Sequence, residues 1–120
     1  MYNLKHKCAL ITGASSGIGR AIAIDLAKAG VKELHLVGRS EERLRELVGE
    51  LEPHNTSCHY HLLELSDTSA INTFCNTFKT QHPTLDLLIH SAGIVSLSSL
   101  EESNIEDLDN QYAINLRAPF

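Results

Sequence analysis

The feature that most constrains this chain is a glycine loop set between a strand and a helix. The apolar run Cys8–Ile11 leads into Thr12-Gly13-Ala14-Ser15-Ser16-Gly17-Ile18-Gly19, and a helical pattern starts near Gly17. A chain that leaves the carboxyl end of a strand and turns at once into a helix aims several backbone N–H groups at one point. The positive end of the helix dipole favours an anion there. In the spacing G-x-x-x-G-x-G, Gly13 permits the sharp exit turn, Gly17 the close approach of backbone to a pyrophosphate, and Gly19 the close packing of helix on strand. The hydroxyls of Ser15 and Ser16 add donors. Strand, glycine loop and helix in this order are the layout of a dinucleotide-phosphate site. Its candidate contacts are Gly13, Ser15, Ser16, Gly17, Ile18 and Gly19.

The remainder of the chain repeats the alternation. Ile18, Ala21, Ile22, Leu26 and Ala29 recur at helical spacing, with Gly30 where a left-handed cap is wanted. Leu34–Val37 reads as a second strand. Ser40 caps a second helix whose buried stripe is Leu44, Leu47, Val48 and Leu51, and Pro53 stops it. Residues 58–65 read as a third strand. Ser66 or Asp67 caps a third helix with Ile71, Phe74, Cys75 and Phe78 inward, ending by Pro83. Leu85 and Leu87–Ile89 form a fourth strand, broken only by Asp86, and a last helix runs from Ser103 or Asn104 towards Pro119. Its inward stripe is Ile105, Leu108, Tyr112 and Leu116, with Asn115 buried among them. Strands alternating with helices on short loops predict an α/β fold. The expected architecture is one Rossmann-type domain over residues 1–120, a doubly wound parallel sheet of order 3-2-1-4, incomplete at about four βα units. Ligands of such a sheet bind where the strand order reverses, between the first and fourth strands. Gly13–Gly19 and His90–Gly93 flank that crevice.

Composition is needed only to exclude. A chain of 120 residues with 42% hydrophobic and 21% charged content is long enough for one core and has an ordinary globular balance. Its net charge of -5 argues against nucleic acid or an anionic membrane as partner. Cys8, Cys58 and Cys75, odd in number and widely spaced, suit reduced thiols and a cytoplasmic location. His59-x-His61 faces one side of a strand, but no carboxylate or cysteine nearby in sequence completes a metal site, so none is expected.

With the loop written out, Thr12-Gly-Ala-Ser-Ser-Gly-Ile-Gly19 resembles the T-G-x-x-x-G-x-G signature of the short-chain dehydrogenase/reductase family. The resemblance covers nearly the whole chain but only the cofactor-binding half of the family fold. It implies a nicotinamide dinucleotide. Twenty residues beyond Gly19, where an acid would hold the adenosine ribose, stands Arg39. A guanidinium there grips a 2′-phosphate, which favours NADP over NAD; the other reading has Arg39 pair with Glu42 or lie in solvent. Glu64 occupies the place of a family aspartate that touches the adenine, with Leu65 supplying a backbone contact, or else is an exposed carboxylate only. His90-Ser-Ala-Gly93 resembles the family's N-N-A-G segment: Ala92 and Gly93 let the nicotinamide-side ribose come close, and His90 replaces part of the lost hydrogen bonding as a structural donor. Asn115-Leu-x-x-x-Phe120 resembles the N-[VL]-x-x-x-[FY] segment, which implies that Asn115 is the catalytic asparagine that helps hold a proton-relay water; the other reading has the buried amide bond to a nearby carbonyl.

The family's serine and Tyr-x-x-x-Lys are absent: four residues past Tyr2, Tyr60 and Tyr112 stand His6, Glu64 and Leu116. The expectation is therefore the N-terminal part of an NADP-dependent oxidoreductase that moves a hydride between nicotinamide and a small carbonyl or alcohol substrate. The full-length enzyme is expected to be a homo-oligomer, and the 120 residues alone to be marginally stable and inactive. A non-catalytic NADP-binding sensor is the alternative.

Overall fold

A computed structural model describes residues 3–120; Met1 and Tyr2, one of the three tyrosines with no lysine four residues on, lie outside the described residues. Four parallel strands, β1 (Cys8–Thr12), β2 (Glu33–Gly38), β3 (Ser57–Leu62) and β4 (Leu87–His90), form one sheet in the order β3-β2-β1-β4. Helices α1 (Gly17–Lys28), α2 (Glu41–Leu51) and α3 (Thr68–Gln81) make the crossovers, and α4 (Ile105–Tyr112) follows β4. This is the expected doubly wound order, with the switch point between β1 and β4.

The local signals act where they were expected. Ser40 Oγ accepts from the Arg43 N–H and Asp67 from the Ala70 N–H, while Gly30 closes α1 at φ +82°. Pro53 lies in a short 3-10 turn that follows α2, and Asn55 reverses the chain at φ 56°.

Packing is unequal on the two faces. On one, Ala9, Ile11, Leu34 and Leu36 of the sheet meet Ala23 and Ala27 of α1 and Leu44, Leu47 and Leu51 of α2, all fully buried. On the other, only Leu10, Val37 and Phe78 form a buried group, flanked by Leu63 and Phe74. Several expectations change here. The buried stripe of α1 is Gly19, Ala23 and Ala27, one position along from Ile18–Ala29, because small residues bring the helix against the sheet while Ile18 stays 76% exposed. β3 ends at Leu62 rather than residue 65: Glu64 turns back onto the Ser66 N–H and hydroxyl and diverts the strand into a loop. β4 starts at Leu87, since Asp86 lies before it and its carboxylate accepts the Cys8 N–H at 2.9 Å. On α3 only Phe78 is buried, Ile71 and Phe74 are half-buried, and Cys75 is exposed beside a cavity of about 490 Å³.

The last helix departs most. It becomes a π-helical turn over Ala113–Arg117, and Ala113 and Ile114 are the residues it buries. The expected stripe of Ile105, Leu108, Tyr112 and Leu116 stands 69%, 61%, 52% and 63% exposed, and Asn115 is exposed as well. Leu47→Ala, which empties a fully enclosed position, is expected to lower stability by about 2–5 kcal/mol in urea denaturation. Leu108→Ala on the exposed face should stay within about 0.5 kcal/mol of the parent.

The polar side chains of the α3 face also depart from expectation. β2 and β3 pair His35 with His59 and Val37 with His61, so the histidines meet Glu33 across the sheet, and Cys8 lies beside it on β1. The carboxylate and cysteine that seemed missing are supplied by neighbouring strands, a relation that spacing within one strand does not reveal. Burial, aided by the His82 imidazole, holds His35 down at about 4, so its ring is neutral at pH 7.

Candidate cofactor site

The site is built where β1 and β4 end side by side, with Thr12 paired to His90. Thr12 is almost wholly buried, and its Oγ1 accepts from the N–H groups of Ser91 and Ala92, each at 3.2 Å. This hydroxyl carries the bonding expected of His90. The His90 ring makes no hydrogen bond among the described residues and faces the larger cavity instead. Thr12 went unrecognised as a site residue because it sits at the end of the strand pattern, before the first glycine.

Gly13 follows at φ +67°, and a Cβ there would stand 2.7 Å from the backbone N and Cα of Ala92. The two strand ends touch through a position that only glycine fills. A Cβ on Gly19 would strike the Gly13 carbonyl group, with its carbon at 2.8 Å, so the first turn of α1 lies directly on the loop. Gly17 is different: φ is +56°, and nothing lies within 4 Å of where its Cβ would be. The third position is bare backbone facing open space.

Helix α1 opens onto this space without a cap. Ser40, Asp67 and Asn104 each close the start of their helix with a side-chain oxygen, and acidic residues stand in the first turns of α2 and α4. Ser16, the corresponding residue of α1, makes no such bond, and no acid lies in that first turn. The N–H groups of Gly17, Ile18 and Gly19 have no partner from the helix itself. An uncapped positive helix end beside a glycine loop is chemically suited to phosphate.

A crevice of about 120 Å³ adjoins it. Gly13, Ser15 and Ser16 form one wall, Arg39, Glu64 and Leu65 a second, and Ala92 and Gly93 a third. Eight of the expected cofactor contacts thus meet in one cleft. Gly17, Ile18, Gly19 and His90 do not line it. Sequence reading missed Gly38, Leu63, Ile94 and Ile114, which do. A Cβ on Gly38 would press on Ser15 and Leu44, both at 3.3 Å.

Arg39 is 66% exposed, and one guanidinium nitrogen lies 4.0 Å from a Glu64 carboxylate oxygen, so its acidic neighbour is Glu64 rather than Glu42. Asn115 faces the loop after β4. Its Oδ1 accepts the Ile94 N–H and its Nδ2 donates to the Ile94 carbonyl, both at 2.8 Å. Arg117 donates to the Ser66 carbonyl at 2.7 Å, which ties the same turn to the β3–α3 loop.

The family follows from comparison. Residues 7–120 match the family model described as short chain dehydrogenase. This chain belongs to the short-chain dehydrogenases. A human relative, dehydrogenase/reductase SDR family member 13, is 36% identical over 105 residues, covering 86% of this chain and 28% of the relative. Among solved structures, a metagenomic short-chain oxidoreductase in complex with NADP superposes with a TM-score of 0.90 at 32% identity, covering 98% of this chain and 53% of that one. L-sorbose reductase from Gluconobacter frateurii, complexed with NADPH and L-sorbose, gives 0.88 at 27% identity, covering 98% of this chain and 44% of that one. The chain thus spans about a quarter to a half of the proteins it matches. No helix among its described residues is long and apolar enough to cross a membrane.

The loop geometry predicts a graded response. Gly17→Ala meets no atom, so its cost should be the left-handed penalty of about 1–2 kcal/mol. Gly13→Ala adds a backbone collision and should cost clearly more in the same urea titration. Equal losses would remove the close approach to Ala92 as the reason for glycine at 13.

Proposed function

We propose that the crevice binds NADP and that these residues form the cofactor-binding part of an oxidoreductase acting on a small carbonyl or alcohol. The observation that carries the reading is the uncapped start of α1, beside Ser16, in a chain whose other α-helices are all capped. The N–H groups of Gly17, Ile18 and Gly19, with the Ser15 and Ser16 hydroxyls, would hold the pyrophosphate. Arg39 would take the 2′-phosphate, and Glu64 and Leu65 the adenine side. Ala92 and Gly93 would admit the nicotinamide-side ribose. When bound, the cofactor supplies a hydride donor or acceptor at its nicotinamide ring.

Arg39 favours NADP because an acid at this place would repel the extra phosphate. The NADP and NADPH complexes among similar structures agree with that choice. Glu64 opposes it mildly, since its carboxylate competes for the guanidinium across 4.0 Å. The pair is exposed and well solvated, so a doubly charged phosphate outcompetes it.

Asn115 acts in this reading through the turn it occupies. Both polar atoms of its side chain hold Ile94, leaving backbone carbonyls as the acceptors for a relay water. The π turn directs the Ala118 N–H to the Ala113 carbonyl at 2.9 Å. Pro119 lacks an N–H, so it offers no donor to the carbonyls of Ile114 or Asn115, which lie five and four residues before it.

Two measurements on the full-length protein test the assignment. Arg39→Asp removes a charged hydrogen bond of about 1.5–3 kcal/mol, so NADPH affinity should fall about 10- to 150-fold while NADH use rises. Equal use of both cofactors by the unmutated enzyme would exclude Arg39 as the selector. Asn115→Ala should lower turnover by a factor on the order of 100 with NADPH affinity nearly unchanged. A lower melting temperature with intact turnover would instead make Asn115 purely structural.

A further inference from the structure

At the opposite end of the sheet from the glycine loop, side chains with metal-ligating chemistry converge on one carboxylate. Cys8 opens β1 and Glu33 opens β2, and His35 follows on the same face. Cys8 Sγ, a Glu33 carboxylate oxygen and a His35 ring nitrogen all lie within 4.8 Å of one another. Around Glu33 Oε1 stand His35 Nε2 at 2.9 Å, His82 Nδ1 at 3.5 Å and His59 Nε2 at 3.7 Å.

We propose that Cys8, Glu33, His35 and His82 form a binding site for a divalent transition ion, with Zn²⁺ the best match.

The donor set suits that ion: a soft sulfur, a carboxylate oxygen and two borderline imidazole nitrogens are the ligand types Zn²⁺ takes, and a thiolate plus a carboxylate balance a double charge. Zinc–nitrogen and zinc–sulfur bonds of about 2.0–2.3 Å in a tetrahedron place ligand atoms about 3.4 Å apart. The nitrogens of His35 and His82 stand 2.9 and 3.5 Å from the Glu33 oxygen, near that spacing. His35 is 1% exposed, and its second nitrogen, Nδ1, lies 2.9 Å from His61 Nε2. That bond directs Nε2 towards the ion, as the outer partner of a ligating histidine does. His82 terminates α3, is 24% exposed and lines the cavity of about 490 Å³, which gives the ion a way in. An ion here would fasten α3, through His82, to β1 and β2 on the thinly packed face. It lies apart from the proposed dinucleotide crevice and does not depend on it.

The test uses the full-length protein after chelator treatment. Calorimetric titration with Zn²⁺ at neutral pH should show one saturable equivalent. Titration with Co²⁺ should produce a thiolate-to-cobalt absorption band. Cys8→Ser should abolish that band, and His82→Asn should weaken Zn²⁺ binding by more than about 100-fold, since it removes a ligand rather than an outer partner. His61→Phe, which loses only the outer partner, should weaken it by about 10- to 100-fold. Circular dichroism of each variant without metal reports whether it folds; His82→Asn, at a part-exposed position, decides the matter if Cys8→Ser does not fold. Absence of saturable Zn²⁺ uptake overturns the proposal. So does uptake of undiminished affinity in His82→Asn, because that places the ion on surface histidines such as His6 or His54.

Discussion

The structure depends on one close approach, that of Gly13 to the backbone of Ala92. Parallel strands β1 and β4 are hydrogen-bonded neighbours, yet the chain must leave both at the same end without one loop covering the other. Absence of a Cβ at Gly13 allows the loops to touch, and the Thr12 hydroxyl then holds them with two accepted hydrogen bonds. Gly19 rests on the Gly13 carbonyl, so the position of the α1 start is fixed by the same contact. The direction of the free N–H groups of α1 is therefore set by strand pairing, through a chain of backbone contacts with no flexible side chain in it. That rigidity is what pre-organises an anion site.

The parts of this fold that were legible in the sequence are those decided by neighbours in the chain. Ser40 and Asp67 cap the helices they were expected to cap, and Gly30 ends α1, because capping is a matter of three or four residues. The strand order followed from the alternation of strand and helix behind a glycine loop, the pattern of the doubly wound dinucleotide fold. What was not legible lies across the sheet or beyond it. Periodicity alone could not choose between Ile18–Ala29 and Gly19–Ala27 as the inward face of α1, since both stripes contain apolar residues. Close helix-to-sheet contact selects the smaller ones. The exposure of Leu108 and Tyr112 was invisible for the same reason: amphipathic spacing identifies an apolar face without saying what covers it. Thr12 and Gly38 were missed because their importance is a distance to residues far along the chain.

The two ends of the sheet obey different chemistry, and the parallel arrangement causes it. At the carboxyl ends, loops lead into helix starts, so backbone N–H groups accumulate and anions are favoured. At the amino ends, Cys8, Glu33 and Asp86 bring together groups that attract cations, with Lys7 bonded to Asp86 at 3.0 Å. The α3 face between them is thinly packed because His35, His59 and His61 take places where β2 and β3 would otherwise present apolar side chains. Phe74 and Phe78 cover these rings edge-on, with the His61–Phe74 and His35–Phe78 ring centres 5.1 Å and 4.8 Å apart. A neutral imidazole is tolerated there because each buried nitrogen has a partner.

The π turn at Ala113–Arg117 joins these considerations to the crevice. The turn buries Ala113 and Ile114, and Asn115 within it holds both backbone groups of Ile94. The asparagine thereby does for the β4 loop what Thr12 does on the other side: it fixes a stretch of backbone that lines the cleft. Ile94 and Ile114 both face that cleft as a result. A substitution at 115 therefore acts on loop position and on the carbonyls of the turn together, and in the proposed reading dinucleotide affinity and turnover would separate because the residues proposed for the phosphates, Ser15, Ser16 and Arg39, line other walls of the cleft.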